Sequence, residues 1–575
     1  MDNSKTHKVA SVATGPNGWK FILPAVGLLG WLLTWPALAQ SDTLPVLQIT
    51  ASNGVARVSW PVTAFEDILQ TTTDLSPAGT WTNLVTGDPM IASNISIFPI
   101  LVGGPVGNAY TNGNQLVCYQ PTSNGQQFYR LASLQLLQFI PACDFAIFYN
   151  GLLEFSYCAP MVINGRVHAN GPIYVGTISS SSLTFNAAVT ATTTLAAPNL
   201  DGTTTSDWNP SDASTWNTTF NGYPGYLTNF ASLVIPLLSS TNYHFLIDIP
   251  TSRQTGAYAN ISTNAQMLYN QAEMVLLVTN STSGTNPAVL LTIQASVNDQ
   301  VPGYDPSPFF HYYTNASPGL LSSNLPFLSL TNLTYDHRES KTNLFTQIDV
   351  GKFATWVSTN AWVQNKLPSA AGVFPTIFYV ADLRTLGSTK LPSVRLINGA
   401  QLPYNNGQGF TLTTPNPLYV QGNYNTQTSA GSSPGTNNAY EVPAALFSDA
   451  LTLLSPNWTD NKGSLAYSSA GSTFNAATMT VNAAIVTGTM PSTGATTFTY
   501  SGGVHNLPRL LENWTGVTLY LNTSIIRHWT SEMATNQWKY QGTYYNPPNR
   551  YFSFDQNFLN PYKIPPGIPV FQVIP

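Results

Sequence analysis

Short runs of β-forming residues that end at glycine or asparagine are the feature that most limits the folds open to this chain. Three of these runs resemble one another, namely Pro172-Ile-Tyr-Val-Gly176, Pro417-Leu-Tyr-Val-Gln-Gly422 and Ala484-Ile-Val-Thr-Gly488. Strands this short, turning at Gly or Asn, predict the stacked strands of a β-solenoid. Because their spacing is irregular, a sandwich or a mixed β fold with long insertions stays an alternative.

The chain divides into four parts that differ in composition and in the spacing of predicted strands and turns. A leader, residues 1–39, precedes residues 44–134, where strands separated by turn residues predict a β-sandwich. Residues 135–543 form a large β-rich region, predicted to be in part a β-solenoid, and the Pro- and aromatic-rich segment 544–575 is expected to run extended across the surface. The fold class is therefore mainly β. Helices are few, and the candidates lie at 265–272, 350–357 and 444–454.

The leader has the order of a removable secretory signal peptide. Lys5, Lys8 and Lys20 precede an apolar run over 21–35, and Ala37-Leu-Ala39 offers a small-residue cleavage site. The run is shorter than the roughly 20 apolar residues that a transmembrane helix needs. We therefore expect an exported protein, in the periplasm, at the cell surface or outside the cell, with no membrane span once the signal is removed.

Charge is scarce along the whole chain. Charged residues make up 8% of the sequence and the formal net charge is −5, whereas an average soluble domain is roughly 25% charged. Because no cluster of Lys or Arg follows the leader, nucleic acid is not an expected partner. The aromatic content of 12% favours a packed core over a disordered chain. This composition is typical of a secreted β protein solvated by Asn, Thr, Ser and Gln.

Three cysteines, Cys118, Cys143 and Cys158, would meet an oxidising compartment after export. Cys143 and Cys158 flank a predicted hairpin, which favours a disulfide between them. Free buried thiols are the alternative, because nothing in the sequence fixes the Cα separation that a disulfide requires. No Cys or His pair has the spacing of a zinc site.

The densest group of charges is Asp336-His-Arg-Glu-Ser-Lys341, followed by Asp349. Asp336 and Glu339, together with the more distant Glu512, are candidate catalytic carboxylates for general acid and base chemistry. Asp336, Glu339 and Asp349 are candidate ligands for a divalent cation such as calcium, and no other cofactor is indicated. The alternative interpretation is that these charges pair with one another or with solvent.

Other motifs carry weaker signals. Ser433 stands at the centre of a G-x-S-x-G pattern, but the strand and helix that a nucleophile elbow needs do not flank it. His168 and His505 lie beside turn glycines, where a histidine more often satisfies a backbone carbonyl than binds a metal. His505, Arg509 and Glu512 are also candidates for the wall of a sugar-binding groove.

Several motifs carry a resemblance to a known family. They include Met161-Val-Ile-Asn-Gly-Arg-Val-His168, Tyr335-Asp-His-Arg-Glu339 and Ser501-Gly-Gly-Val-His-Asn-Leu-Pro508. From Phe145 onward the chain resembles exported bacterial proteins related to PilX-like type IV pilus-associated proteins, and the region before it resembles an immunoglobulin-like or fibronectin III-like module. The resemblance implies a structural role and supplies no catalytic residue. The leader differs from those of true pilus subunits, since it lacks a prepilin cleavage site.

The sequence thus leads to two hypotheses about function. The first is a noncatalytic surface or secreted protein of structural or adhesion type, associated with a pilus or another appendage, whose partners are other cell-surface or appendage proteins. The second is an extracellular carbohydrate-binding or carbohydrate-active protein whose partner is a polysaccharide. The arrangement of Asp336, Glu339 and Glu512 separates them: paired carboxylates in a deep cleft favour an enzyme, and carboxylates held in ion pairs favour a structural role.

Overall fold

A computed structural model of the chain divides into two compact units, Met1–Gln138 with Val573–Pro575 and Phe139–Gln572. The described residues are 8–12, 48–52, 55–61, 67–72, 82–83, 109–112, 115–121, 127–133, 138–158, 160–177, 182–196, 218–223, 225–235, 243–250, 266–282, 284–293, 309–364, 375–403, 409–428, 431–432, 438, 441–492, 500–539 and 543–573.

The first unit holds two antiparallel sheets of four strands each, in the orders β1-β8-β4-β5 and β2-β3-β7-β6. Their strands are β1 (Lys8–Val12), β2 (Gln48–Ser52), β3 (Val55–Pro61), β4 (Asp67–Thr72), β5 (Thr82–Asn83), β6 (Ala109–Asn112), β7 (Gln115–Pro121) and β8 (Gln127–Ser133). Seven of these strands, β2 to β8, lie within residues 44–134, for which a sandwich stays a prediction. Of the predicted signal peptide, only β1 belongs to the described residues.

The second unit begins with a stack of short parallel coils. Each coil contributes one strand to each of three sheets, and each strand pairs in parallel with its equivalent in the next coil. After β9 (Gln138–Pro141), the strands of this first arm are β10 (Phe145–Tyr149), β11 (Leu153–Cys158), β12 (Met161–Ile163), β13 (Arg166–Ala169), β14 (Ile173–Thr177), β15 (Leu183–Phe185), β16 (Val189–Ala191), β17 (Leu195–Ala196), β18 (Thr218–Phe220) and β19 (Tyr226–Leu227). This is the arrangement of a β-solenoid.

A second arm follows a connecting region and repeats the same geometry. The connecting region supplies the antiparallel strands β20 (Met274–Thr279), β21 (Ala288–Ile293) and β22 (Phe309–Tyr313), then β23 (Leu328–Ser329), β24 (Leu333–Asp336) and β25 (Lys341–Asp349). The stacked strands of the second arm are β26 (Ile377–Asp382), β27 (Lys390–Ile397), β28 (Phe410–Thr413), β29 (Leu418–Gln421), the hairpin β30 (Gln427–Thr428) and β31 (Gly431–Ser432), β32 (Ala444–Ser448), β33 (Leu451–Leu454), β34 (Met479–Asn482), β35 (Ala484–Thr487), β36 (Arg509–Leu510), β37 (Thr518–Thr523), β38 (Ile525–Arg527), β39 (Asn549–Phe554) and β40 (Val570–Val573).

The two arms share one twelve-stranded sheet, which makes them a single solenoid. Its order is β19-β16-β13-β10-β38-β35-β32-β28-β26-β20-β21-β22. The first strand of the first arm, β10, therefore lies directly beside the last strand that the second arm adds to this sheet, β38. Both of its flanking pairings are parallel. We call the β10 and β38 pairing the seam.

Coil length explains the irregular repeat in the sequence. Val167 pairs with Val189, 22 positions later, whereas Ile485 pairs with Ile525, 40 positions later. Most of the paired strands keep a constant register while the turns between them differ in length; the register shifts once in the β10–β13 pair and once in the β11–β14 pair. The three look-alike runs of the sequence correspond to β14, β29 and β35, so the solenoid that they predict is present.

Asparagines at equivalent turns hydrogen-bond from coil to coil. In a buried ladder, the Asn482 side-chain amide donates to the Asn425 backbone carbonyl at 2.9 Å, and the Asn482 side-chain oxygen accepts from the Asn522 amide at 2.6 Å. In an exposed ladder both contacts join side chains: the Asn186 amide donates to the Asn164 side-chain oxygen at 2.8 Å, and the Asn186 side-chain oxygen accepts from the Asn221 amide at 2.9 Å. Because identical side chains stack at the spacing of the strands, each ladder fixes the register of its turns.

Four α-helices occur among the described residues, and one of them covers the core at the β26 end of the second arm. They are α1 (Leu268–Gln271), α2 (Pro318–Asn324), α3 (Val350–Thr359) and α4 (Ala361–Gln364). Asp349 caps α3 by accepting a hydrogen bond from the Lys352 backbone N–H at 3.0 Å. The buried face of α3 places Phe353 flat on Phe378, with ring centroids 4.5 Å apart. The helix thereby shields apolar side chains that the coil at the β26 end would otherwise expose.

Two expectations about secondary structure are wrong. The helix expected at 444–454 is instead β32 and β33, separated by a turn at Asp449 and Ala450. Its residues are buried on both sides of a sheet, and such continuous apolar runs can imitate a buried helix. The tail 544–575 is not simply extended on the surface, since β39 pairs with β37 and β40 pairs with β9.

The predicted bridge between Cys143 and Cys158 does not form in the structure, where both are buried free thiols. The premise of a hairpin between them fails, because β10 and β11 belong to different sheets of one coil. The Cys158 thiol instead contacts the Met161 sulfur at 3.3 Å. The Cys118 side chain lies outside the described residues.

We expect Asn482→Ala to lower the free energy of unfolding by about 2–4 kcal/mol, because it removes two buried hydrogen bonds, one to the Asn425 backbone carbonyl and one from the Asn522 amide. Asn186→Ala, in the exposed ladder, is the matched control and should cost less than about 1 kcal/mol, since water replaces the lost partner. Chemical denaturation of the three proteins measures both values. Equal losses in the two variants would contradict a stabilising role specific to the buried ladder.

Candidate functional site

The residues of the candidate site lie on one sheet of the second arm. Its neighbouring strands follow the order β25-β27-β29-β33-β36. Strand register aligns two rows of side chains across these strands. One row is apolar, buried and directed to the core, and it consists of Ile348, Leu396, Val420, Leu453 and Leu510. The alternate row points to the opposite side of the sheet. We call it the polar row, and it consists of Gln347, Arg395, Tyr419, Thr452 and Arg509.

Asp336 lies over the middle of the polar row and is 1% exposed. Its carboxylate accepts hydrogen bonds from the backbone N–H groups of Arg338 and Glu339, at 2.7 and 3.0 Å, and from the Tyr419 hydroxyl. Tyr419 in turn accepts from the Asn343 amide at 2.8 Å. The carboxylate thus anchors the turn that follows β24, and its oxygens are occupied by protein donors.

Glu339 lies next to Asp336 in the same layer and is 2% exposed. It forms an ion pair with Arg509 of the polar row and accepts a hydrogen bond from the Asn536 backbone N–H at 3.1 Å. The structure therefore brings three sequence candidates, Asp336, Glu339 and Arg509, into one buried network. Their contacts are those of mutually satisfied charges.

Glu512 belongs to a separate network and is fully buried. It accepts hydrogen bonds from the Ser455 backbone N–H at 2.6 Å and the Ser455 hydroxyl at 2.9 Å, and it pairs with Lys462 at 3.2 Å. Burial raises the pKa of the Glu512 carboxyl, and the Ser455 and Lys462 contacts oppose that rise. All of its partners are structural groups of the turns around β33 and β36.

Asp349 does not join Asp336 and Glu339. It lies at the far end of β25 from Lys341, the residue paired with Asp336, which is about 26 Å away at roughly 3.3 Å per residue. Its carboxylate caps α3 and accepts from the Asn398 amide at 2.9 Å. Asp336, Glu339 and Asp349 therefore cannot share one cation. Among the described residues, no three His, Cys, Asp or Glu side chains form a group able to hold a metal.

An open groove of 610 Å³ begins where the buried network ends. It lies within the roughly 300–1,000 Å³ typical of ligand sites. Strands β25, β27 and β29 form its floor, and the turn after β33 forms one wall. The side chains that give it chemical character are Gln347, Arg395, Asn398, Gln421, Trp458 and Asp460.

Arg395 is the organising group of this groove and is 3% exposed. Its guanidinium pairs with both oxygens of Asp460, donates to the Gln347 amide oxygen at 2.8 Å and lies 4.3 Å from the centre of the Phe345 ring. The Asp460 side chain is 30% exposed. The groove therefore combines a neutralised Arg–Asp pair with amide groups, and the Trp458 indole behind them is 3% exposed. This polar lining suits a neutral ligand rich in hydroxyl groups.

Neither of the two histidine candidates belongs to the groove, and the serine candidate lies outside the described residues. His168 contacts the Thr190 hydroxyl at 2.7 Å and the Asn170 amide oxygen at 2.9 Å, and burial lowers its pKa to about 4. His505 is 6% exposed and lies on a turn before β36, with the nearby Arg550 bound to its carbonyl at 3.0 Å. His505 does not line the groove, and Ser433 lies outside the described residues.

Sequence reasoning missed the residues of the groove. Arg395 and Asp460 are 65 positions apart, and nothing local links them. The usable signal was the rarity of charge, because in a chain with 8% charged residues each isolated charge within a β-forming run is conspicuous.

A second buried group that the sequence did not reveal surrounds His244. Its ring contacts Asp248 at 2.8 Å and the fully buried Asp449 at 3.3 Å, with Glu532 at 3.8 Å. Burial lowers the pKa of His244, but the carboxylates of Asp248 and Asp449, with the charge of Glu532, outweigh it and raise the pKa to about 9. The charged imidazole thus holds the segment 243–250 against the turn between β32 and β33.

Comparisons with protein-family models, with curated proteins and with solved structures returned no match. The site must therefore be interpreted from its own geometry. None of the helices that the structure describes combines the length and apolar character needed to cross a membrane.

We expect Glu339→Gln to reduce stability by about 3–5 kcal/mol, since it leaves the buried Arg509 without its counter-charge. The double variant Glu339→Leu with Arg509→Met removes both charges and should recover much of the loss. Denaturation of the single and double variants measures the difference. A loss below about 1 kcal/mol for Glu339→Gln, the range of exposed ion pairs, would show that this network does not stabilise the fold.

The stability contributed by His244 should depend on pH. Because its folded pKa of about 9 exceeds the ordinary value of 6.5, the contribution is complete below pH 6.5 and is lost as the pH rises through 9. We expect wild type to lose about 1–3 kcal/mol relative to His244→Gln between pH 6.5 and 9.5. Thermal melts of both proteins across this range measure it, and parallel curves would contradict the assignment.

Proposed function

We propose that this protein is an exported, noncatalytic adhesion-type solenoid that binds a neutral polysaccharide in the groove beside Arg395. The observation that carries the proposal is the composition of the 610 Å³ groove, where Trp458 stands beside the Arg395–Asp460 pair and the Gln347 and Gln421 amides. The Gln347 and Gln421 amides and the partly exposed Asp460 carboxylate can hydrogen-bond sugar hydroxyls, while Trp458, which is 3% exposed, packs behind them.

The charge balance of the groove favours a neutral glycan over an acidic one. Arg395 is already paired with Asp460, so an anionic sugar gains no free cation there and meets a partly exposed carboxylate. Open grooves on a rigid parallel sheet also suit extended chains, because the coils present equivalent positions at the regular strand spacing of about 4.8 Å.

The proposed lack of catalysis rests on the carboxylates themselves. Asp336, Glu339 and Glu512, the strongest candidates for an acid and base pair, are each buried and hydrogen-bonded to protein groups. None of the three lines the groove. A glycosidase of the usual kind requires two carboxyl groups flanking the bond to be cut, and the groove contributes Asp460 alone among the described acidic residues.

Glycan-array binding with the full chain tests the proposal, followed by calorimetry with the best neutral glycan. We expect Asp460→Asn to weaken binding at least about tenfold, equivalent to about 1.4 kcal/mol, because it removes a charged hydrogen-bond acceptor from the groove. Asp248→Asn is the matched control: it also removes a partly exposed carboxylate paired with a basic group, but outside the groove, and should leave affinity unchanged.

Three results would count against the proposal. The first is that wild type binds no glycan on the array, and the second is that Asp460→Asn binds as tightly as wild type does. Release of new reducing ends from the bound glycan would contradict the noncatalytic part specifically.

A further inference from the structure

A lysine, an asparagine and a pair of carboxyl groups meet near the C-terminus. Asn557 and Lys563 lie in two consecutive short 3-10 helices, and Glu441 comes from the segment just before β32. Asp555 caps the first of these helices by accepting a hydrogen bond from the Asn557 backbone N–H at 3.0 Å. None of the four residues lines the groove or belongs to the buried network over the polar row.

The Asn557 carboxamide is held at both of its ends. Its oxygen accepts a hydrogen bond from the Lys563 ammonium, with 3.0 Å between Nζ and Oδ1. Because a C=O bond is about 1.23 Å long, Nζ lies at most about 4.2 Å from the carboxamide carbon Cγ. The carboxamide nitrogen donates to Glu441 Oε1 at 2.8 Å and to the Asn438 carbonyl at 3.3 Å. An amine nitrogen therefore lies beside the carbon that it can attack, and a carboxyl group lies beside the nitrogen that would leave.

Glu441 and Asp555 share a proton. They hydrogen-bond to each other, which requires one of the two carboxyl groups to be protonated. Burial, followed by the hydrogen bond and the charge of Asp555, raises the pKa of the Glu441 carboxyl well above its usual value. The Asn438 amide fixes Asp555 by donating to it at 2.6 Å. The pair can thus take up a proton at one step and give one at the next, as acid and base catalysis requires.

We propose that the folded protein joins Lys563 to Asn557 by an isopeptide bond, with Glu441 as the catalytic proton donor and acceptor. The Lys563 ammonium loses two protons to the carboxyl pair, one before and one after its nitrogen bonds to the Asn557 Cγ atom. Glu441 passes both protons to Nδ2 as the bond between Cγ and Nδ2 breaks. The products are one amide and one ammonium ion. The carboxyl pair ends as it began, and no oxidant, reductant or other reactant is consumed.

The bond closes a covalent ring over residues 557–563. Leu559 and Tyr562, which are 51% and 67% exposed, lie inside this ring. A protease that cuts the backbone beside either residue therefore leaves the chain in one piece. The ring protects the connection to β40, the strand that pairs with β9, and this effect is independent of glycan binding in the groove.

Peptide mapping of the full chain, denatured and digested with trypsin, tests the bond. Without it, trypsin cuts after Lys563 and releases residues 551–563. With it, we expect residues 551–575 to stay one peptide that is about 17 Da lighter than its sequence, because one ammonia is lost. Residues 551–563 at their sequence mass would overturn the proposal. Loss of ammonia with the cut after Lys563 retained would also overturn it, since that pattern marks a cyclic imide at Asn557 alone.

Variants test the role of Glu441, and the wild-type map decides on the bond whether or not they fold. Glu441→Gln should abolish the cross-link and release residues 551–563, because it removes the proton donor beside Asn557. Lys563→Arg keeps the charge, cannot form the bond and supplies the uncross-linked reference. Glu532→Gln, which removes a carboxylate with a 55% exposed side chain elsewhere, is the matched control and should keep the cross-link. A cross-link that persists in Glu441→Gln would overturn the proposal.

Discussion

The pairing of β10 with β13 on one side and with β38 on the other is the interaction on which the rest of the solenoid depends. Without the seam, the two arms would be separate stacks, each with an open row of backbone donors and acceptors. Such edges invite pairing with other chains. At the seam, the Asn150 N–H donates to the Arg527 carbonyl at 2.8 Å, and Phe148 packs with Phe571 at 4.4 Å between ring centroids. Residues from both ends of the unit therefore complete one core.

Several of the charged side chains that the structure describes join separate segments of the fold. The pair Glu339–Arg509 links the turn after β24 to β36, and Lys462 with Glu512 links the turns around β33. His244 joins a separate segment to Asp449. In each case a buried ion pair connects segments that are far apart in sequence. Such pairs favour one specific packing of the segments more than they increase the net stability of the fold. The groove lies where this layer leaves the sheet uncovered.

The sequence was sufficient to predict the class of fold and some of its elements. Short strands ending at Gly or Asn predicted a solenoid, and the helix candidate 350–357 lies within α3. The sequence could not predict which strands pair, because the spacing of paired residues varies, from 20 positions for Leu153 and Ile173 to 57 for Thr452 and Arg509, and register is set by distant partners. The same limit applies to 444–454, where apolar residues at helical spacing belong to two buried strands.

The candidate site was predicted only in part, for a related reason. Asp336, Glu339 and Arg509 were singled out as conspicuous charges, and the structure brings them together, but Glu339 and Arg509 form an ion pair and Asp336 accepts hydrogen bonds from protein groups. Asp349 stands apart because a nine-residue strand separates it from the others. Arg395, Trp458 and Asp460 were missed, since their proximity arises from stacking of coils and leaves no local spacing signal.

Hydrogen–deuterium exchange across the shared sheet tests the central claim, that the two arms form one solenoid through the seam. If β10 and β38 are interior strands, their amides exchange as slowly as those of β32, and much more slowly than those of the edge strand β19. If β10 and β38 instead exchange as rapidly as β19, the arms are not joined, and the account of the fold is wrong.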